Sequence, residues 1–356
     1  MSDRPAPAVR AAPSGVVTTV DYHAGGEPFR IVTGGVRTIQ GSSVLERRRW
    51  AATNLDGVRR LLVNEPRGHA DMYGAFVTEP DDAGADLGVV FFHNEGYSTA
   101  CGHGTIALVT WALREGPLAG RLSAPPGGPS TDVVVTVDVP SGRLRCVARV
   151  RDGRVATVRF RNVPSFVLAT GVSVDTAVGR ISVDVAYGGA FYGSLDVRSI
   201  GLDVSPASLP ALIALQRELR PALEATLDVS HPDEPELRGI YGIVFWAAEP
   251  DEPGAALVQR NVTVFADGEV DRSPCGSGTS ARLVILDAAG ELPRGGTLRH
   301  RSIVGSVFEA SVVAAGPPVG GRPSLITEVE GSAFATGRHE FVLEEDDPIG
   351  TGFLLR

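Results

Sequence analysis

The sequence predicts an α/β protein of two similar halves, each a β-rich structure wrapped around one buried helix. The first observation is a repeat: CGHGTIALVTWALREG at 101–116 and CGSGTSARLVILDAAG at 275–290 both run from a cysteine to a glycine. The second is a weaker repeat of glycine turns ahead of each cysteine, HAGGEPFR at 23–30 and AYGGAFYG at 186–193. The third is a predominance of valine-rich alternation, which is typical of strands.

The individual elements follow from local patterns. Alternation of apolar and polar residues predicts strands at 133–139, 144–150, 155–160, 262–265 and 341–343. The segments after Cys101 and Cys275 predict buried helices, because apolar residues occupy nearly all of the first helix surface and much of the second. A third helix is predicted to start near Ser208, and Pro221 should kink or end it.

The length of 356 residues suggests about two domains. Residues 1–15 are rich in proline and alanine and lack the apolar core of a signal peptide, so we expect a disordered leader. We expect the first half to cover 16–165, with 330–356 returning to it, and the second half to cover 166–329. Cys101 falls in the first half and Cys275 in the second.

Charge and cysteine content exclude several classes of protein. The net charge of −9 argues against non-specific nucleic-acid binding. No stretch approaches the roughly 18 apolar residues of a spanning helix, so we expect no membrane partner and a cytoplasmic location. Three cysteines do not suit a disulfide framework. A reducing cytosol would keep them as thiols, which suits thiol chemistry.

Each repeated cysteine is predicted to lie at a helix N-terminus. Ser98 and Thr99 precede Cys101, and Ser273 precedes Cys275; these residue types favour N-caps. Free N–H groups and the helix dipole there bind a carboxylate. They should also lower the thiol pKa from about 8.5 toward neutrality.

Two thiols and two anion-binding helix ends fit the α-carbon of an amino acid. One thiolate removes the α-proton, and the opposite thiol delivers a proton to the other face. Cys146, on a predicted strand, is interpreted as a buried hydrophobe. A zinc site is disfavoured, because neither repeated cysteine has a CxxC partner. His103 could orient the site or bond Asp271.

Six stretches carry a resemblance to a known family. They are DYHAGGEPFRIV (21–32), NEPRGHADMYGAF (64–76), HNEGYSTACGHGTIAL (93–108), DVAYGGAFY (184–192), DRSPCGSGTSAR (271–282) and RSIVGSVFEA (301–310). Spread over about residues 20 to 353, they resemble the proline racemase family. That family includes proline racemases, 4-hydroxyproline 2-epimerases and trans-3-hydroxyproline dehydratases.

The resemblance implies the diaminopimelate-epimerase-like fold, with two α/β halves, each a β-barrel-like sheet around a central helix. It implies neither a metal nor pyridoxal phosphate, and it implies a homodimer. Cys101 and Cys275 would be the acid/base thiols. The residues expected around the substrate are Gly102, His103, Gly276 and Ser277 at its carboxylate, Asp271 near its ring nitrogen, and His69 in the PRGH stretch.

The resemblance leaves the reaction open. A cofactor-independent racemase or epimerase of proline or hydroxyproline is favoured, because dehydratases of this family typically replace one cysteine with Ser or Thr. A trans-3-hydroxy-L-proline dehydratase is the alternative, because PRGHADMYG and NEGYST look closer to that branch. An epimerase of acyclic substrates, as in diaminopimelate epimerase, and a catalytically silent protein that binds proline-like ligands are further alternatives.

Overall fold

The computed structural model describes residues 15–122 and 129–355, and the predicted leader lies almost wholly outside them. These residues form a mixed α/β structure in which strands predominate. Within them, the structure has no helix that is both long and apolar enough to cross a membrane.

The described elements have the following bounds. The strands are β1 Val17–Ala24, β2 Glu27–Gly34, β3 Tyr73–Thr78, β4 Leu87–His93, β5 Thr131–Val139, β6 Gly142–Arg151, β7 Arg154–Arg161, β8 Phe166–Thr176, β9 Gly179–Tyr187, β10 Phe191–Asp196, β11 Ser230–His231, β12 Glu234–Arg238, β13 Ile240–Ala248, β14 Leu257–Phe265, β15 Glu269–Asp271, β16 Leu298–Ser302, β17 Val307–Ala315, β18 Leu325–Gly331 and β19 Ala333–Phe341. The α-helices are α1 Val44–Asn54, α2 Asp56–Val63, α3 Gly102–Arg114, α4 Leu209–Thr226 and α5 Gly276–Ala288.

The strand pairings repeat themselves along the chain. In the first series, β19, β1, β2, β3, β4, β5, β6 and β7 are neighbours in that order. In the second, β8, β9, β10, β13, β14, β16, β17 and β18 are neighbours with the same sequence of parallel and antiparallel steps. The last strands of the two series, β7 and β18, pair antiparallel and join them.

The C-terminal strand completes the first series. β19 pairs antiparallel with β1, from Val17 opposite Phe341 to Ala24 opposite Ala333. The return of 330–356 to the first half stays a prediction. The boundaries at residues 165 and 329 stay predictions, and we use "first half" and "second half" for the ranges they define.

Each series surrounds one of the cysteine helices. Helix α3 contacts β1, β2, β3, β6, β7, β18 and β19, whereas α5 contacts β8, β9, β10, β17 and β18. Every residue of α3 from Gly102 to Leu113 is buried. A helix enclosed on all sides needs an apolar surface all round, which explains the absence of a polar face in its sequence.

Pro221 does not end its helix, and the strand predicted at 341–343 is wrong. Helix α4 begins after Ser208 as expected, but Pro221 lies inside it and the helix continues to Thr226. Proline removes only one helical hydrogen bond, and burial of Leu219 and Leu223 on either side holds the helix together. The strand expected at 341–343 instead ends at Phe341.

The two glycine turns contact the cysteine loops reciprocally. Gly25, between β1 and β2, has φ +62°, and a Cβ there would lie 3.3 Å from Pro274, directly before Cys275. Gly189, between β9 and β10, has φ +99°, and a Cβ there would lie 2.8 Å from the Cβ of Ala100. Each half therefore supports the cysteine loop of the other half.

Candidate active site

Both repeated cysteines are the N-cap residues of their helices. Cys101 caps α3 with an extended backbone, and its Sγ accepts a hydrogen bond from the Gly104 N–H at 3.2 Å. Cys275 caps α5 at φ +62°, a left-handed conformation that is uncommon for a residue with a side chain. Both are about 5% exposed.

The N-termini of the two helices meet. A Cβ on Gly102 would lie 2.5 Å from the Cα of Gly276, so only glycine fits at this contact. The first N–H groups of a helix have no intrahelical partner. Two such ends side by side form an anion-binding region with a cysteine at each edge.

His103 and Asp271 connect the two thiol loops. Both ring nitrogens of His103 lie 3.5 Å from Cys101 Sγ, and Nδ1 lies 3.9 Å from Asp271 Oδ2. Asp271 Oδ1 accepts from the Ser273 N–H at 2.8 Å, and Ser273 Oγ accepts from the Cys275 N–H at 3.1 Å. The carboxylate is therefore positioned relative to both sulfurs.

Burial sets the protonation of this site. It lowers the pKa of His103 to about 3, so the imidazole is neutral. It raises the pKa of Asp271 to about 6, although hydrogen bonds from Ser273 oppose the rise. Asp271 therefore changes charge near neutral pH.

The expected lowering of the thiol pKa is wrong for this closed arrangement. Burial raises the pKa of both Cys101 and Cys275 well above the ordinary value. The Gly104 N–H lowers the pKa of Cys101 and the charge of Asp271 raises it, but both effects are smaller than that of burial. The helix ends stabilise a thiolate, yet the loss of water costs more.

A charged cluster behind Asp271 joins the two halves. The Arg272 guanidinium lies 3.0 Å from Asp71 Oδ2 and 3.6 Å from Glu27 Oε2. The backbone N–H of Arg272 also donates to Glu27 Oε2 at 2.7 Å. Glu27 is fully buried, and burial together with Asp271 raises its pKa well above the usual value.

Three tyrosines around the thiols were not singled out in the sequence. The Tyr192 hydroxyl lies 2.7 Å from Ser277 Oγ and 3.9 Å from Cys275 Sγ. The hydroxyls of Tyr73 and Tyr241 lie 2.9 Å apart. Tyr73 and Tyr192 fall inside motifs quoted above, but nothing in the sequence indicated that the hydroxyls of these three tyrosines lie at the site.

The structure brings together most of the predicted site residues. Those near the two sulfurs are Gly102, His103, Asp271, Gly276 and Ser277. His69 is not among them: it is exposed, and its Nδ1 lies 2.6 Å from the Ala70 carbonyl oxygen. Its role in substrate binding stays a prediction.

A surface cleft is lined by residues that neighbour the Cys101 loop. It has a volume of about 350 Å³, and Ser98, Thr99, Ala190 and Tyr241 are among its lining residues. Among residues 15–122 and 129–355, no group of three or more His, Cys, Asp or Glu side chains is placed to hold a metal ion.

The chain is similar to known proteins over nearly its whole length. The family model for proline racemase matches residues 19–354. A trans-3-hydroxy-L-proline dehydratase of Burkholderia ambifaria is 45% identical over 341 residues, covering 96% of this chain and 98% of that protein. A 3-hydroxyproline 2-epimerase of Burkholderia multivorans is 44% identical with the same coverage.

Comparison with solved structures finds similarity over nearly the whole chain as well. A hydroxyproline epimerase from Agrobacterium vitis, with bound trans-4-hydroxy-L-proline, is 31% identical, has a TM-score of 0.85 and matches over 96% of both chains. The architecture is that of the diaminopimelate-epimerase-like class, as the sequence predicted. Within this class, the chain belongs to the proline racemase family and is an enzyme of that family.

Proposed function

We propose that this enzyme inverts the α-carbon of proline, hydroxyproline or both by two-thiol proton transfer, without a cofactor. The contact between Gly102 and Gly276 carries the proposal, because it brings two cysteine-capped helix ends together at one site. A carboxylate bound by N–H groups from both ends would hold the α-carbon between the sulfurs.

The remaining polar groups suit the ring nitrogen. Asp271 is buried beside neutral His103, and an ammonium group placed there would compensate its charge. The helix ends would hold the carboxylate and Asp271 the nitrogen. This two-point attachment orients the substrate for attack from either face.

The chemistry requires one sulfur as thiolate and the other as thiol. The thiolate takes the α-proton, and the thiol donates its proton to the opposite face, so the two sulfurs exchange roles in each turnover. Burial makes two simultaneous thiolates unfavourable. A single negative charge shared by the pair, close to the substrate ammonium, is therefore the reactive state.

Dehydration of trans-3-hydroxy-L-proline is the second candidate. The 45% identity with a protein of that name favours it. In that reaction one thiolate removes the α-proton, the C3–O bond breaks, and the hydroxyl leaves as water after it gains a proton. The product is a pyrroline carboxylate, and the second sulfur need not act as a strong acid or base.

The test is proton NMR of the enzyme in deuterated water with L-proline, trans-4-hydroxy-L-proline and trans-3-hydroxy-L-proline in separate samples. Loss of the α-proton signal together with a new epimer supports inversion and identifies the substrate. A pyrroline product from the 3-hydroxy compound alone supports the dehydratase. Absence of both from all three substrates contradicts the proposed function.

A further inference from the structure

Two tyrosines from different halves meet beside the thiols. Tyr73 lies on β3 and Tyr241 on β13, and their hydroxyl oxygens are 2.9 Å apart. The Tyr73 hydroxyl also donates to Ser98 Oγ. We call Tyr73 and Tyr241 the tyrosine pair.

One member of the tyrosine pair lines the surface cleft, and the other packs beside Cys101. Tyr241 and Ser98 line the cleft. On the inner side, the ring of Tyr73 packs edge-on against His103 at a centroid distance of 5.0 Å. Burial raises the pKa of both phenols, and a charge on Cys101 raises it further, so both lie within electrostatic reach of that sulfur.

Aromatic neighbours fix the positions of both rings. Phe265 stacks on Tyr241 at 5.3 Å and packs against Tyr73 at 6.0 Å. Phe29 stacks on the other side of Tyr73 at 6.4 Å. Two hydroxyls are thus held rigidly within a wall that is otherwise aromatic.

The hydroxyls can still bond a ligand. A phenol offers one donor and accepts hydrogen bonds. In the described part of the chain, the Tyr241 hydroxyl bonds only that of Tyr73. Both phenols stay protonated at neutral pH, because their pKa is raised. They therefore match a neutral hydroxyl group.

We propose that the tyrosine pair binds the ring hydroxyl of the substrate and selects hydroxylated rings over bare proline. The inference rests on the proposed function and specifies the substrate class for the same site. An unsubstituted ring would leave the buried phenols with only each other and Ser98. A site built to bond a hydroxyl discriminates strongly against the analogue that lacks one.

The experiment compares Tyr73→Phe and Tyr241→Phe with the wild-type enzyme. We measure kcat/KM for trans-3-hydroxy-L-proline, trans-4-hydroxy-L-proline and L-proline, and inhibition by pyrrole-2-carboxylate, which has no ring hydroxyl. Each variant should lower kcat/KM for the preferred hydroxylated substrate about tenfold, as expected for one lost hydrogen bond. Proline turnover and pyrrole-2-carboxylate inhibition should decrease less than kcat/KM for the hydroxylated substrate, because neither ligand can lose a bond from a ring hydroxyl.

Tyr22→Phe is the matched control. Tyr22 is buried, and its hydroxyl donates to Glu115 at 2.7 Å, beyond the C-terminal end of α3. That position is about 20 Å along the helix from Cys101. Removal of its hydroxyl should leave all four measurements unchanged.

The outcomes separate the two proposals. Equal losses for hydroxylated and bare ligands would show that the tyrosine pair is only structural, and no loss in either variant would also overturn the inference. Inactivity of the wild-type enzyme on all three substrates would overturn the proposed function instead. The hydroxylated isomer with the larger loss identifies which ring position the pair binds.

Discussion

The two cysteines occupy equivalent positions in the repeat but have different backbone conformations. Cys101 has φ −153° and Cys275 has φ +62°. A positive φ at a residue with a side chain, as at Cys275, costs about 1–3 kcal/mol and persists where the surrounding structure enforces it. The left-handed turn points to a functional demand on the direction of the Cys275 side chain.

The first prediction concerns these sulfurs. Cys101→Ser and Cys275→Ser should each lower the rate of inversion by about 10²–10⁴-fold, the usual contribution of a general acid or base. The measurement is the appearance of the epimer, because the remaining thiol could still exchange the α-proton on its own face, with circular dichroism to verify folding. Cys146→Ser is the control, because Cys146 is buried on β6 and the proposed mechanism does not use it. A serine variant that inverts the substrate at nearly the wild-type rate would contradict the two-thiol mechanism.

The second prediction concerns Asp271 and pH. Its pKa is raised to about 6, so the carboxylate proposed to pair with the substrate ammonium is lost below that pH. We expect kcat/KM to fall about tenfold per pH unit below pH 6. This fall of kcat/KM below pH 6 should be absent from the residual activity of Asp271→Asn. If the fall persists in this variant, a group other than Asp271 causes it.

The raised pKa of Asp271 also predicts how the stability of the folded state depends on pH. The direction of this dependence is opposite to that for most carboxylates. Because the folded pKa lies above the unfolded value of 3.8, Asp271 favours the folded state below pH 4, and this advantage is lost as pH rises through 6. Asp271→Asn should therefore gain stability relative to wild type between pH 4 and 7. Urea unfolding of the wild type and the variant at pH 4 and pH 7 measures this gain. An equal stability difference at the two pH values would contradict the raised pKa of Asp271.

Sequence reasoning singled out residues that a repeat or a resemblance marks, and it did not single out the tyrosines near them. Cys101, Cys275 and the glycines after them were predicted because a repeat marks them. Tyr241 was missed because it precedes a glycine in an ordinary strand, and its contact with Tyr73 depends on the packing of the two halves. His69 was assigned by resemblance, and its exposure could not be read from the sequence.

At the scale of elements, the paired helix ends determine what the site can tolerate. Gly102→Ala would place a Cβ 2.5 Å from the Cα of Gly276 and force the two helices apart. Such overpacking costs about 1–3 kcal/mol, and it should also abolish binding of the substrate carboxylate. The measurements are urea unfolding and calorimetry with pyrrole-2-carboxylate.

Gly120→Ala is the control for that change. A Cβ at Gly120 would have no atom within 4 Å, and its φ is not left-handed. We expect unchanged stability and ligand affinity. A Gly102→Ala variant that behaves like this control would show that the helix ends can separate at little cost.

The helices around the cysteines could be predicted because burial on all sides leaves an apolar signature. Helix α1, with the sequence VLERRRWAATN, has few buried residues and no clear apolar face, so no local pattern predicts it. Continuation of α4 past Pro221 depends on leucines buried against strands distant in sequence. Local patterns do not contain that information.

At the scale of the whole molecule, Arg272 links the halves through Glu27 and Asp71. Arg272→Met removes the guanidinium from two buried carboxylates and should lower the free energy of unfolding by about 2–4 kcal/mol. Arg180→Met is the control, because its pair with Asp175 is largely exposed and should contribute less than about 1 kcal/mol. Equal effects in urea unfolding would show that the Arg272 cluster does not stabilise the joined halves.

The duplication could be predicted from the repeated motifs, but the exchange of glycine turns could not. Each turn is ahead of its own cysteine in the sequence, and this order does not indicate which cysteine loop the turn contacts. The structure places Gly25 against Pro274 and Gly189 against Ala100. Such contacts arise only when two halves pack face to face.

This exchange has a consequence for cutting the chain. A fragment that ends near residue 165 would keep Cys101 but lose Gly189, which packs beside the Cys101 loop. The complementary fragment would lose Gly25 and the support for Pro274. Neither piece could shape its own thiol loop alone, whereas co-expressed pieces carry everything needed to reassemble. The site with both thiol loops therefore needs the pair of halves, and a single half-length chain could build such a site only by dimerising with exchanged turns.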